Sequence, residues 1–323
     1  MLKKAVVLGA TGGTGKVITA ELIKRGVETV IFGRSLPKLR AMAEELGNPA
    51  LLSMAEGNVF DSASIIRAAK GADVIFHAAS IPYNQMTTQL LPLGEAVMGA
   101  ANQLKIKVVA VDGIYPYGRR TTDHPIDENH PKRPHTRKGK TKLAFEKMFF
   151  DPRWNQVKGM IVRLPDYYGP TANEASYLGS TLEAIAAGKP AAFIGNMRIP
   201  REYVYLPDAA KMIVELAERE EAYGQNWHIP GGGVISGRKI VEIAQRASGQ
   251  KKPVIALGRV SLSILGLFIP VFKEIVEMLY LTEKPLVLSG KKYESLVGPI
   301  PATPFEQGIT DTVKDIMNRK YRV

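Results

Sequence analysis

Three glycines near the start of the chain have the type and spacing that most clearly imply chemistry. Gly9, Gly12 and Gly15 follow at three-residue intervals in the run GATGGTG. The apolar stretch Ala5-Val6-Val7-Leu8 before them reads as a short buried strand, and residues 16–24 after them as a helix. Strand, glycine turn and helix make a cradle for the pyrophosphate of a dinucleotide. Gly9 permits the tight turn, Gly12 lets backbone approach the phosphates, and Gly15 lets helix pack on strand. The helix N-terminus adds N–H donors and a positive dipole end. Thr11, Gly13 and Thr14 belong to the same phosphate-binding turn. The alternative is a glycine-rich loop that binds nothing.

A second strand, 29–33, runs into Arg34, with Ser35 next and Lys38 a helical turn on. In the NAD(H)-binding form of this cradle an acidic residue there accepts from the ribose hydroxyls. A carboxylate would repel a 2′-phosphate, whereas a guanidinium forms charge-assisted bonds to it. Arg34 and Lys38 therefore point to NADP(H); the alternative is that Arg34 caps a surface loop. Asn58, after the third strand, is placed to accept from the adenine amino group or to form a plain turn. His77-Ala78-Ala79-Ser80 closes the fourth strand. Small Ala78 and Ala79 let the nicotinamide ribose lie close to backbone, and His77 reads as a satisfied core histidine.

These residues need a frame, and the chain alternates strand and helix to supply it. Strands read at 5–8, 29–33, 50–54, 72–77, 107–111 and 159–163. Helices read at 16–24, 38–46, 62–70 behind Asp61 as N-cap, 87–104 and 141–150. The succession predicts an α/β fold, a Rossmann-type doubly wound parallel sheet. Residues 112–139 read as loop. Beyond them come a helix at 175–187, a strand at 202–206, a helix at 208–219, a strand at 227–229, a helix at 237–248 and a last helix from about Asp311. Residues 1–165 form the NADP-binding domain, to which 201–226 returns. A smaller, interleaved C-terminal substrate lobe takes 166–200 and 227–323, and the cleft between the two should hold cofactor and substrate. The apolar run 261–272, SLSILGLFIPVF, is too short to span a bilayer. It reads as a helix packed on the core, the alternatives being a lid, a dimer face or a membrane-surface contact.

Composition narrows the function. With 323 residues, 45% apolar and 23% charged, the chain is ordinary for a globular protein of about two domains. It has no cysteine, which excludes disulfides, thiolate metal sites and cysteine nucleophiles. Five histidines without metal-ligand spacing argue against a metalloenzyme. The net charge is +12, and the one dense basic cluster is Lys132, Arg133, Arg137, Lys138, Lys140 and Lys142. No aromatic residues interleave with it and no nucleic-acid motif is present, so an anionic small molecule fits better than nucleic acid. The N-terminal residues already read as a core strand, which predicts no cleavable leader and a cytoplasmic protein.

Six segments in order resemble the extended short-chain dehydrogenase/reductase family, the group of nucleotide-sugar epimerases and dehydratases. They are the Gly9–Gly15 turn, His77–Ser80, Ile114–Gly118 (IYPYG), Arg163–Pro170 (RLPDYYGP), Arg201–Asp208 (REYVYLPD) and Trp227–Gly233. They cover residues 1 to about 250. The resemblance implies a serine, a tyrosine and a lysine four residues after the tyrosine. The tyrosine, assisted by the lysine, moves the hydroxyl proton and the serine orients the oxygen. Here the serine position is Gly113, the tyrosine position Lys138 and the lysine position Lys142. The resemblance also places Pro165 at the cofactor, Tyr168 in the loop leading to the substrate lobe, and Arg201 where a substrate's anionic group binds. It further implies a homodimer through the helices near 87–104 and 141–150.

Lys138 and Lys142 share one helix face at i and i+4, about 5–6 Å apart at Cβ. Mutual repulsion and partial burial would depress their proton affinities. That makes Lys138 a candidate proton donor or acceptor in place of the tyrosine. The pair could instead anchor an anionic group, or form a solvated basic face on a degenerate enzyme. Asp112, Tyr115 and Tyr117 flank the missing serine and Tyr83 follows the fourth strand, so Tyr115 or Tyr117 could deliver a phenolic proton. The leading function is an NADP(H)-dependent oxidoreductase or epimerase/dehydratase-like enzyme acting on a carbonyl or hydroxyl small molecule. A redox-silent NADP(H)-binding regulator and a non-redox enzyme on the same fold are the alternatives.

Overall fold

The structure is a computed structural model that describes residues 1–172 and 176–320. Its first half alternates as the sequence predicts: β1 (Lys4–Leu8), α1 (Gly13–Lys24), β2 (Glu28–Gly33), α2 (Leu36–Glu45), β3 (Leu52–Glu56), α3 (Ser62–Ala68), β4 (Val74–His77), α4 (Met86–Leu104) and β5 (Lys107–Gly113). A 3-10 turn at Tyr115–Tyr117 and a long loop lead to α5 (Arg137–Phe149) and β6 (Gly159–Leu164). Then come β7 (Asp166–Tyr168), α6 (Tyr177–Ala186), β8 (Ala191–Ile194), β9 (Pro200–Tyr205), α7 (Leu206–Ala217), β10 (Asn226–His228), β11 (Val234–Ser236) and α8 (Gly237–Ser248). The last part holds β12 (Val254–Leu257), α9 (Arg259–Phe268), α10 (Pro270–Met278), α11 (Tyr280–Glu283), α12 (Lys291–Leu296) and α13 (Phe305–Lys320).

The chain divides into two compact units. The first takes Met1–Pro116, Arg137–Arg163 and Ala210–Trp227. Its centre is a seven-stranded sheet ordered β10-β6-β5-β4-β1-β2-β3, with β1 paired in parallel to both β2 and β4. This is the Rossmann-type α/β sheet, and the order reverses between β1 and β4, where such sheets bind ligands at their C-terminal strand ends. Its strands are near-continuous apolar runs because helices cover them; β4 and β6 are buried at every position. Asp61 caps α3 as expected, accepting from the N–H groups of Ala63 and Ser64. α1 starts at Gly13, three residues before the predicted start, because the glycine turn closes at once through Gly12 N–H on Gly9 O at 3.0 Å.

The second unit takes Tyr117–Thr136, Leu164–Ala209 and the chain from His228 onward. It holds a three-stranded sheet, β11-β9-β7, and a parallel pair, β12-β8. The loop 117–136 thus goes with this unit, and the chain returns to the first unit at Ala210 rather than 201. The cause is β9, whose partners β7 and β11 both lie in the second unit. Strand β9 overlaps the predicted strand at 202–206, whereas β7, β8, β11 and β12 are not evident in the sequence, being only three or four residues long without clean alternation. The predicted helix start at Ala175 lies outside the described residues; α6 begins after Ser176, whose hydroxyl accepts from Gly179 N–H.

The run 261–272 is not a core helix. It breaks at Ile269–Pro270 into α9 and α10, and only Leu262 within it is buried, while Leu267 and Phe268 are each 80% exposed. Proline cannot continue a helix and biases the residue before it toward extended backbone, as Ile269 shows with φ −127° and ψ 103°.

Candidate active site

The glycine turn is built as close as its sequence allows. Gly9 sits at φ +74°, and a Cβ there would lie 2.5 Å from Ala79 Cα. A Cβ on Gly15 would lie 2.3 Å from Gly9 O, so helix and strand meet only because Gly15 has none. Gly12 differs: the contact its Cβ position would make is with Gly9 O at 3.3 Å, with no side chain of the described residues crowding it, so backbone here stays approachable. Thr11, Gly12, Gly13 and Thr14 are all half-buried, and the N-cap of α1 is Gly12, which brings no side chain of its own to the helix start. Ala78 N–H donates to Leu8 O at 3.0 Å, which ties the end of β4 to the same turn.

Arg34 follows β2 directly and is exposed, with no hydrogen-bond or ion-pair partner among the described residues; Lys38 is exposed in the first turns of α2. Asn58 takes the turn reading: its Oδ1 accepts from Phe60 N–H at 3.1 Å and its carbonyl from Asp61 N–H at 3.0 Å. His77 is buried as expected, but it is not satisfied. Its Nδ1 has no hydrogen-bond partner among the described residues. Burial, with Lys142 nearby, drives its pKa down to about 4, so the ring is neutral at pH 7.

Helix α5 carries the lysine pair, Lys138 buried and Lys142 half-buried. Lys138 is 1% exposed, with Nζ 5.5 Å from the centroid of the Tyr83 ring. The Tyr83 hydroxyl in turn shares a 2.6 Å hydrogen bond with the Tyr115 hydroxyl. A Cβ added to Gly113 would lie 3.8 Å from Tyr115 Cε1, so the tyrosine ring borders the space a serine would use. The solvated basic face therefore fails at Lys138, although Lys140 is exposed.

Lys142 is tied down. Its Nζ lies 2.5 Å from Asp112 Oδ1, and the second oxygen of that buried carboxylate accepts from Arg163 at 2.7 Å. Arg163, with no exposed surface, also donates to Gly113 O at 2.8 Å and to Glu146 at 2.7 Å; Asn226 reaches the other Glu146 oxygen at 2.7 Å. Burial alone would raise the Asp112 carboxyl, but Lys142 and Arg163 together hold it below the ordinary carboxylate range. Arg163 and Glu146 are the supporting residues that sequence reasoning missed. The available signal was a lone arginine in an otherwise apolar strand, which demands buried partners.

The other expected residues lie in the second unit and are built into its interior. Tyr117 is buried, its hydroxyl 2.6 Å from His228 Nε2. Tyr168 is buried against Tyr205 and Phe305, and burial raises its pKa. Arg201 is buried, with its guanidinium 5.1 Å from the Phe193 ring and 5.3 Å from the Tyr203 ring. It donates to Ile194 O at 3.1 Å and lies 3.5 Å from Asp166. Pro165 follows β6 and is buried. Among the described residues there is no cluster of His, Asp or Glu placed to hold a metal ion.

A parallel sheet with a glycine turn at its reversal point, and a lysine-bearing helix over the ends of β4 and β5, define a Rossmann-type protein of the dehydrogenase/reductase kind. The chain belongs to the NAD dependent epimerase/dehydratase family, whose sequence model matches residues 5–229. It is 24% identical over 271 residues to an uncharacterized UDP-glucose epimerase of Bacillus subtilis, covering 77% of this chain and 83% of the relative. It is 25% identical over 259 residues to a dTDP-6-deoxy-L-talose 4-dehydrogenase (NAD(P)(+)) of Kitasatospora kifunensis, covering 76% and 79%. The crystal structure of UDP-glucuronic acid 4-epimerase from Bacillus cereus, in complex with UDP-glucuronic acid and NAD, superposes with a TM-score of 0.79. That match is 17% identical and covers 98% of this chain and 99% of the other.

Proposed function

We propose that this protein is an NADP(H)-dependent oxidoreductase or epimerase/dehydratase-like enzyme, with Lys138 as the group that moves the hydroxyl proton. The observation that carries the reading is a lysine 1% exposed on the helix face that also bears Lys142. Its Nζ faces the ring of Tyr83, whose hydroxyl is paired with that of Tyr115, at the end of the sheet where the glycine turn lies. The relatives named for nucleotide sugars make a sugar nucleotide, anionic and rich in hydroxyls, the first substrate class to try.

The residues present fit a dinucleotide. The approachable backbone at Gly12 and the helix N-terminus that follows it suit a pyrophosphate, and exposed Arg34 with Lys38 suits a 2′-phosphate. Bound there, the nicotinamide would accept or supply the hydride. Lys142, held by Asp112, keeps a fixed positive charge beside the reacting centre, and Arg163 fixes Asp112 in turn. Lys138 gives or takes the substrate proton, and the Tyr83–Tyr115 hydroxyl pair offers the oxygen-orienting hydrogen bond that Gly113 lacks. The assembly is read as a cytoplasmic homodimer, to be checked by sedimentation.

The first test is a fluorescence titration with NADPH and, in parallel, NADH. The reading expects preference for NADPH, weakened about tenfold to a hundredfold by Arg34→Ala. Binding of neither cofactor would overturn it. Lys138→Ala should retain NADPH binding and lose about 10²- to 10⁴-fold in turnover of a sugar nucleotide. Unchanged turnover would remove Lys138 from the mechanism. The replacement of both serine and tyrosine favours one other reading, a redox-silent NADP(H)-binding regulator. Capture of a partner that differs between NADP+ and NADPH would support it.

A further inference from the structure

The exposed apolar surface of this protein is concentrated in one place. Seven of the eleven large apolar side chains that stand exposed among the described residues lie between Ile255 and Val271. Helices α9 and α10 pack against each other as a hairpin whose turn is Phe268-Ile269-Pro270. At that turn Leu267 and Phe268 are 80% exposed, with Ile269 and Val271 about half exposed; Val260 and Ile264 carry the apolar surface back along α9. Leaving such side chains exposed to water is unfavourable, and a patch of this kind marks a contact surface. The inner side of the hairpin is already satisfied by Leu262, Ile275 and Leu279, which form their own small core.

The charges around the hairpin identify what covers it. From residue 251 to 284 the exposed charged residues are Lys251, Lys252, Arg259, Lys273 and Lys284 against Glu283 alone. That one carboxylate is bound on both oxygens by Arg259, at 2.9 and 2.8 Å. Glu274 and Glu277 are half-buried. Lys273 lies beside the turn, its backbone nitrogen 3.0 Å from the Cβ position of Gly266. A second copy of the chain on a two-fold axis would bring these lysines against their own counterparts. A surface that is apolar within and anionic at its rim meets both features instead.

We propose that the α9–α10 hairpin docks this protein on an anionic lipid surface, its Leu267–Val271 turn entering the acyl boundary and its lysines at the headgroups. No helix of the described residues is long and apolar enough to cross a membrane, so the contact is peripheral.

Co-sedimentation of the full chain with vesicles tests this, using phosphatidylcholine alone and phosphatidylcholine mixed with phosphatidylglycerol. The protein should pellet with the anionic vesicles and be released by high salt. Leu267→Asp and Phe268→Asp should each weaken binding about tenfold or more, and Lys273→Glu about fivefold. Because these side chains are exposed, the urea midpoint should not move, which separates lost docking from lost folding. The proposal is overturned if the wild-type chain stays in the supernatant, if neutral vesicles bind it equally, or if Phe268→Asp binds unchanged. It is also overturned if the same substitution instead dissociates a self-assembled oligomer that has no affinity for vesicles.

Discussion

Asp112 in the first unit and Glu202 in the second are both buried carboxyls, and the protein treats them in opposite ways. Asp112 is flanked by two cations, Lys142 and Arg163, and stays ionised well below its ordinary range. Glu202 instead receives two backbone N–H groups, from Gly231 and Leu288, each at 2.8 Å. Burial dominates there and pushes its pKa up to about 8, so it is largely protonated at neutral pH. The two sites show that burial sets the cost of a charge while the neighbouring charge decides whether it persists. In the first unit the charge is kept, where it holds a lysine of the candidate active site. In the second it is given up, and the carboxyl serves to tie β9 to the Gly231 turn and to the segment at Leu288.

Removing the cation should erase the difference at the largest cost. Arg163→Met leaves Asp112 and Glu146 without their shared partner, and urea unfolding should show a loss of about 3–5 kcal/mol. Adding Glu146→Gln should recover part of it. A loss below about 1 kcal/mol would mean that Lys142 alone suffices.

Glu202 supplies the next effect through pH. Its folded pKa lies above the ordinary 4.5, so the folded state holds its proton longer, and stability falls as pH rises from that value through 8. Between pH 6 and pH 8 the fall should be roughly 2 kcal/mol, and Glu202→Gln should flatten it. An unchanged slope in the variant would assign the titration elsewhere.

His77 has the opposite sign and a smaller size. With a folded pKa of about 4 against an ordinary 6.5, the unfolded chain takes up the proton first, so stability falls as pH drops through that window. The loss should be roughly 1.5 kcal/mol between pH 6.5 and pH 5 and should vanish in His77→Leu. The smallest effect belongs to a feature outside the comparison. Asp61→Ala removes the α3 cap and should lower the midpoint of thermal unfolding slightly without altering either pH slope.

The first unit was largely legible before its structure. The apolar strands, the glycine turn, the Asp61 cap and the segment carrying Lys138 and Lys142 are local patterns, each set by the residues within a few positions. The second unit was much less so. Its strands β7, β8, β11 and β12 are three or four residues long, and their pairing joins segments tens of residues apart. The hairpin at 261–272 misled for a related reason. An apolar composition implies burial only if the rest of the chain offers a partner, and here most of it meets none among the described residues.

From residue types and spacing alone, the chain determined a Rossmann-type sheet and the glycine turn at its centre, while only the family resemblance assigned Gly113 and Lys138 to the positions of a serine and a tyrosine. Tertiary structure alone decided that Lys138 is buried against Tyr83, that Asp112 and Arg163 clamp Lys142, and that His77 stays neutral. The reason is physical. Local periodicity and turn chemistry act over a few residues, whereas the state of a charge depends on desolvation and on partners brought from distant segments by the fold.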